Sequence, residues 1–226
     1  MEEKNLGREL KRLAIDWGAI AVGFCRTDGL ADSYHPEIRE KARHLPTAVS
    51  LGIALQPAVF DTLDGRPNLI YKAHYRTANA LLDMIAFRLS LVIAARGFQA
   101  LPIPASILVS WQPLSAHLNH REIAFRAGLG WRGKNNLLIH PEHGGRIRLA
   151  SILTDADLAA DSPRSDECGD CEACAEYCPA GAIGGTPELF DLEKCQAQVI
   201  AFSKGNKIGQ MICGLCLSRC PHAHGR

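Results

Sequence analysis

Nine cysteines stand in the chain, and eight of them lie between residues 168 and 220. Thiols crowded in this way, in a chain with no visible export signal, read as metal ligands and not as disulfide partners. The first group is Cys168-x2-Cys171-x2-Cys174-x3-Cys178-Pro179, the spacing with which bacterial ferredoxins grip a 4Fe–4S cube. Three cysteines on a tight loop hold three irons. The fourth starts a segment that turns toward a neighbouring cube, and the proline after it helps direct that turn. The second group is Cys213-x2-Cys216-x3-Cys220-Pro221; its leading ligand is lost, because Gln210 stands in that place. Cys195, between the groups, is free to replace it. The ferredoxin crossover pattern then gives one cube Cys168, Cys171, Cys174 and Cys220, and the other Cys178, Cys195, Cys213 and Cys216. Two zinc sites would need paired knuckles, which two Cys-Pro endings and an unbroken four-cysteine run are not. Two adjacent cubes conduct electrons, and a conductor needs a terminus.

The body of the chain is the expected place for that terminus. It holds one cysteine, Cys25, read as a small buried hydrophobe. The sequence has 226 residues, 47% hydrophobic and 22% charged, with a net charge of +1. These values exclude a disordered chain and make a dominant nucleic-acid footprint unlikely. Apolar runs such as 19–24 and 91–95 fall short of the ~20 residues that span a bilayer. With no leader or anchor in view, the expected compartment is the cytoplasm. Residues 2–17 read as an amphipathic helix closed by Gly18, and 19–25 and 47–56 as buried strands. Residues 36–44 read as a charged helix. The longest helical pattern runs over 69–95, with Leu81, Leu82, Ile85, Leu89, Val92 and Ile93 as its core face. Residues 115–127 read as a helix capped by Ser115 and stopped by Gly128, and 136–154 as a hairpin around His143-Gly144-Gly145. Residues 155–167 read as a linker. The expected organisation is an α/β body over 1–160 and a two-cluster domain over 161–226.

Gly128-x-Gly130-x-x-Gly133 fits a dinucleotide fingerprint, but a helical pattern precedes it and a strand follows, the reverse of what that site requires. His117 and His120 have a spacing that would suit a metal, with no third ligand in view. Arg146 and Arg148 alternate on one strand face; they read as a clamp for an anion or as a solvated face. His222 and His224 read as a frayed terminus.

The segment from Arg126 through Gly145, followed by Ile152-Leu-Thr-Asp155 and the double cysteine motif, resembles the epoxyqueuosine reductase family, cobalamin-dependent iron–sulfur enzymes similar in plan to reductive dehalogenases. The resemblance is dense from Arg121 to Pro221 and loose before. It implies an α+β fold: a nitroreductase-like α/β/α sandwich body followed by a ferredoxin-like double 4Fe–4S module. It implies a corrinoid held in the body and reduced through the clusters, with Gly130, Trp131, Gly133, Lys134, Asn135 and Tyr75 around the cofactor. Trp131 would stack on the macrocycle and Lys134 meet a carboxamide or phosphate. The catalytic acid is unassigned: where the family carries an aspartate, this chain has Val109-Ser110-Trp111-Gln112-Pro113-Leu114. His74 and Tyr75 are candidate proton donors, or packing and capping residues. The resemblance implies a C-terminal helical-repeat extension that engages tRNA, and the expectation for this sequence, whose last residue is Arg226, is a short member without that extension. The expectation is therefore a reductive reaction other than epoxyqueuosine reduction on tRNA, fed by an electron donor such as ferredoxin or flavodoxin. Two alternatives stay open: a cofactor-free body that docks a ferredoxin-type carrier to a partner, and a flavin in place of the corrinoid.

Overall fold

The computed structural model describes residues 2–111, 114–205 and 208–223. In chain order the elements are α1 (Glu2–Asp16), β1 (Ala21–Arg26), α2 (Pro36–Ala42), β2 (Thr47–Ala54), α3 (Pro57–Phe60), α4 (Leu69–Ala95), β3 (Ala100–Ile103), β4 (Leu108–Trp111), β5 (Leu114–Ala116), α5 (His120–Arg126), β6 (Trp131–Arg132), β7 (Leu138–Ile139), β8 (Ile147–Thr154), α6 (Ala173–Glu176), α7 (Leu192–Gly205) and α8 (Leu215–Ser218). The chain forms two units: residues 1–53, 79–129 and 148–164, and residues 54–78, 130–147 and 165–226. Residue 160, the division expected from the sequence, lies inside the last segment of the first unit.

The first unit is built on a four-stranded sheet in the order β1-β2-β8-β3, with β1 antiparallel to β2 and β3 antiparallel to β8. The central strands are buried along nearly their whole length. That is why their sequences run apolar and small without alternation. Pro102 sits in β3, at the sheet edge, where a missing N–H costs no ladder bond. Leu6, Leu10 and Ala14 bury one stripe of α1, and Gly18 ends it at φ +107°. Leu82, Ile85, Ala86, Leu89 and Ile93 are the buried stripe of α4. Among the described residues α4 is the one helix long and apolar enough to cross a membrane. Its outer face carries Leu81, Met84, Phe87 and Leu91, all exposed, so Leu81 is not in the core face assigned to it.

Three further expectations are corrected. The 136–154 hairpin does not form as one unit. Only a bridge joins His140 to Gly144, β7 pairs with β6, and β8 enters the central sheet, where its apolar residues are buried on both faces. The helix after residue 115 starts at His120, because the Asn119 side chain accepts hydrogen bonds from the Arg121 and Glu122 amides while 114–116 pair as β5. Residues 155–164 are not a free linker. Asp155 accepts from the Gln99 amide at 2.7 Å, and Asp161 from the Phe24 amide at 2.9 Å and Lys11 at 2.8 Å.

Candidate metal centre

The second unit gathers the eight clustered cysteines. Cys168 and Cys171 lie on the turn before α6, where the Cys171 amide donates to the Cys168 carbonyl at 3.1 Å. Cys174 is in α6 and Cys178 just beyond it. Cys195 is in α7, Cys213 precedes α8, Cys216 is within it and Cys220 follows it. Gly214, which begins α8 at φ +81°, is required twice over, since a Cβ there would lie 2.7 Å from the Tyr71 ring.

Cys168, Cys171, Cys174 and Cys220 line one cavity, with Lys134, Asn135, Ile139, Pro221 and His222 completing its wall. Burial pushes the Cys174 thiol up to about 11, and the thiols of Cys168, Cys220 and Cys171 push it the same way. The remaining cysteines lie near one another as well. Burial raises Cys213 to about 11 and Cys216 well above the usual thiol range, with Cys178 and Cys195 acting on both and Cys174 of the first group acting on Cys216 too. Amides oppose the rise by donating to sulfur, those of Gly145 and His222 to Cys220 and that of Leu215 to Cys213. The Ala182 amide donates to the Cys178 sulfur at 3.5 Å. Among the described residues no three of His, Cys, Asp or Glu converge to hold a single ion. Four sulfurs around a cavity suit a cube better than one metal ion.

The glycine–tryptophan–lysine segment meets this same cavity. A Cβ on Gly130 would lie 2.1 Å from the Ile139 carbonyl oxygen, and one on Gly133 2.6 Å from the Ile139 side chain, so both glycines let β6 and β7 close. Asn135 is buried, and its Oδ1 accepts from the Leu137 amide at 3.1 Å. Trp131 is buried against Ile139, Cys220 and Cys168, with His222 edge-on at 5.0 Å. Its indole Nε1 is buried with no hydrogen-bond partner. Trp131 is thus enclosed, and Lys134 lines the cysteine cavity.

No protein-family model matches the chain. Over 120 residues it is 36% identical to the epoxyqueuosine reductase of Bacillus anthracis, covering 49% of this chain and 31% of that protein. Over 222 residues it is 27% identical to that of Escherichia coli, covering 86% of this chain and 57% of that protein. The chain is thus similar in sequence to epoxyqueuosine reductases. It spans only about a third to somewhat over half of the length of these relatives. The fold is shared with a catabolic reductive dehalogenase solved with 3-bromo-4-hydroxybenzoic acid, at TM-score 0.76, 22% identity, and 97% and 32% coverage of the two chains. It is also shared with the epoxyqueuosine reductase of Streptococcus thermophilus, at TM-score 0.68, 19% identity, and 98% and 67% coverage.

The other residues singled out in this epoxyqueuosine reductase-like sequence fall into place structurally. Tyr75 is half-buried on α4, edge-on to Tyr71 at 6.2 Å. His74 Nε2 accepts from the Gln56 amide at 3.0 Å, and burial lowers its pKa, so it is held neutral as a packing and capping group. His117 and His120 do not form a metal pair. His117 contacts Glu37 at 2.8 Å, while His120 is held between Ser151 Oγ at 2.9 Å and the Pro104 carbonyl at 3.0 Å. Cys25 is buried and donates to the Ile123 carbonyl at 3.6 Å. Gln112, Pro113 and His224 lie outside the described residues.

Three residues carry more than their sequence reading gave them. His222 is no frayed end: it lines the cavity and packs on Trp131. Its signal was adjacency to Cys220-Pro221. Arg146 and Arg148 are not a solvated face. Arg148 donates to Asn79 at 2.9 Å and to the Ala105 carbonyl at 3.2 Å, while Arg146 is 3% exposed.

Proposed function

We propose that the chain is a redox module that carries two 4Fe–4S clusters and passes electrons one at a time to an acceptor for a reductive reaction. The observation that carries this reading is the division of eight cysteines into two quartets, the first around a single cavity. The first quartet would hold one cube, with Trp131 and Ile139 excluding water and the Gly145 and His222 amides donating to sulfur. The second would hold the other. Bound clusters supply one-electron chemistry without a proton. Loading requires the buried thiols to lose their protons, which the N–H donors favour. The body is read as nitroreductase-like and the tail as ferredoxin-like, supported by the fold shared with the two solved neighbours.

The acceptor that the relatives support is a corrinoid bound in the N-terminal body, since one structural neighbour concerns B12-dependent dehalogenation. Of the chain's own residues, Lys134 and Asn135 line the cysteine cavity and Trp131 packs against Cys168 and Cys220, so no step is assigned through a corrinoid on them. A reaction other than tRNA epoxyqueuosine reduction is supported by the acid-free stretch Val109–Leu114. The electron donor would be a ferredoxin or flavodoxin in the cytoplasm. The commitment of the glycine–tryptophan–lysine segment to the cluster favours a second reading, an electron carrier whose body docks to a partner enzyme.

The deciding experiment is anaerobic titration of cluster-reconstituted protein with cob(II)alamin, read by electron paramagnetic resonance with an iron count. About eight irons per chain and a base-off cobalt signal at one equivalent support the corrinoid reading. Eight irons with unchanged cobalt leave the carrier. An iron count well below eight refutes the two-cluster reading itself.

A further inference from the structure

Arg146 is a buried cation without an ion-pair partner among the described residues. It is 3% exposed, and among the described residues its guanidinium forms no ion pair or side-chain hydrogen bond. It stands over the Phe60 ring at 5.7 Å, and the charges that act on it are those of Cys220 first and Asp61 second. A guanidinium cannot shed its proton, so burying it in this way is costly unless a negative charge arrives. The next residue, Gly145, donates its amide to the sulfur of Cys220. Lys134, half-exposed, stands in the wall of the same cysteine cavity. A cube with four thiolates carries a net negative charge of about two when oxidised and one more when reduced. Burying that charge alone is equally unfavourable. The two surpluses are opposite in sign and adjacent.

We propose that Arg146, assisted by Lys134, is the built-in counter-charge of the cluster held by Cys168, Cys171, Cys174 and Cys220, and that it raises the reduction potential of that cluster above that of its neighbour. This rests on the two-cluster reading. The groups acting on Cys213 and Cys216 are thiols, with no cation among them. Reduction adds one negative charge, so nearby cations favour the reduced cube. One electron from an external one-electron donor enters the pair. The cube at Cys178, Cys195, Cys213 and Cys216 is oxidised by one electron as the first cube is reduced by one. The first cube is thereby the delivering end.

The test is a redox titration of the reconstituted full chain with dithionite and mediators, followed by electron paramagnetic resonance, on wild type, Arg146→Met, Arg146→Lys and Lys134→Gln. Iron is counted in each. Arg146→Met is expected to lower the reduction equilibrium constant of one cluster at least about tenfold, which is ~59 mV for one electron, and to leave the other unmoved. Arg146→Lys should keep most of the wild-type potential. Lys134→Gln should lower the same cluster by less, with an effect that shrinks as salt is raised. Eight irons with neither potential moved by Arg146→Met or Lys134→Gln overturns the counter-charge while leaving the two clusters standing. Wild type short of eight irons overturns both. If Arg146→Met loses the cube altogether, the other two variants decide. Lys134→Gln shifting one potential while Arg146→Lys preserves it supports the assignment, and no shift in Lys134→Gln refutes it.

Discussion

Gly130→Ala joins the fold to the metal centre in one perturbation. The added Cβ would stand 2.1 Å from the Ile139 carbonyl oxygen and 2.8 Å from its carbon. Both obstacles are backbone, so no side-chain rotation relieves them. Ordinary contact needs roughly 1 Å more separation at the least. Opening β6 from β7 by that amount breaks the Trp131–Ile139 pairing and moves Ile139, which lines the cysteine cavity. Overpacking strain of about 1–3 kcal/mol and one lost hydrogen bond of about 1 kcal/mol give a destabilisation of about 2–4 kcal/mol. The assay is a denaturant melt paired with an iron and sulfide count on the anaerobically reconstituted protein. Gly185→Ala is the control, because nothing lies within 4 Å of its added Cβ. Gly130→Ala should melt earlier and hold about half the iron of the control, the first cluster being lost. A variant that melts within about 0.5 kcal/mol of wild type and retains all its iron would refute the reasoning.

His120 supplies a pH prediction. Burial first, then the charges of Arg148 and His117, lower its pKa to about 4, against a hydrogen bond to Pro104 that raises it. Below about pH 6.5 the unfolded chain takes up a proton that the folded chain refuses until near pH 4. Wild type should therefore lose up to about 3 kcal/mol relative to His120→Gln across that window in urea melts, and a parallel pH dependence of the two proteins would contradict the depressed value. Asp161→Ala leaves the Phe24 amide and Lys11 without their carboxylate; about 1–3 kcal/mol should be lost, and hydrogen exchange at Phe24 should quicken. Burial pushes the Cys25 thiol up to about 11. Alkylation of native, iron-free protein at pH 8 should therefore leave Cys25 among the last unmodified cysteines, together with Cys174, Cys213 and Cys216, and early labelling by mass spectrometry would count against its burial.

Spacing made part of this structure legible. The ends of α4 follow from its periodicity and from Arg96-Gly97, and β2 from an apolar run halted by Pro57. The gathering of Cys168, Cys171, Cys174 and Cys220 around one cavity follows a ligand spacing rule readable in the sequence. What stayed hidden depends on distant partners. β8 has a hairpin-like sequence context, and only the burial of both its faces sends it to the centre of a sheet. Ser115 has the chemistry of a cap, yet Asn119 wins because 114–116 are drawn into a strand. Arg146 looks like one member of an alternating solvated pair, and nothing near it in sequence says that its charge is enclosed. Trp131 and Lys134 stand out in the sequence by motif type, and only tertiary packing places them beside the clustered cysteines.

The cysteine-bearing unit is stitched from three separate stretches of chain, 54–78, 130–147 and 165–226. Such a module cannot be moved by cutting at two points, as a contiguous ferredoxin can. A tail beginning at residue 165 would leave behind Lys134, Asn135 and Ile139, three walls of its first cavity. The same layout orders biogenesis. Cys220 is synthesised long after the wall it closes against, so a cluster held there would be sealed in only when every earlier stretch is in place. Loading would then act as a late clasp across a long loop, and a chain that missed it would keep an unclosed unit.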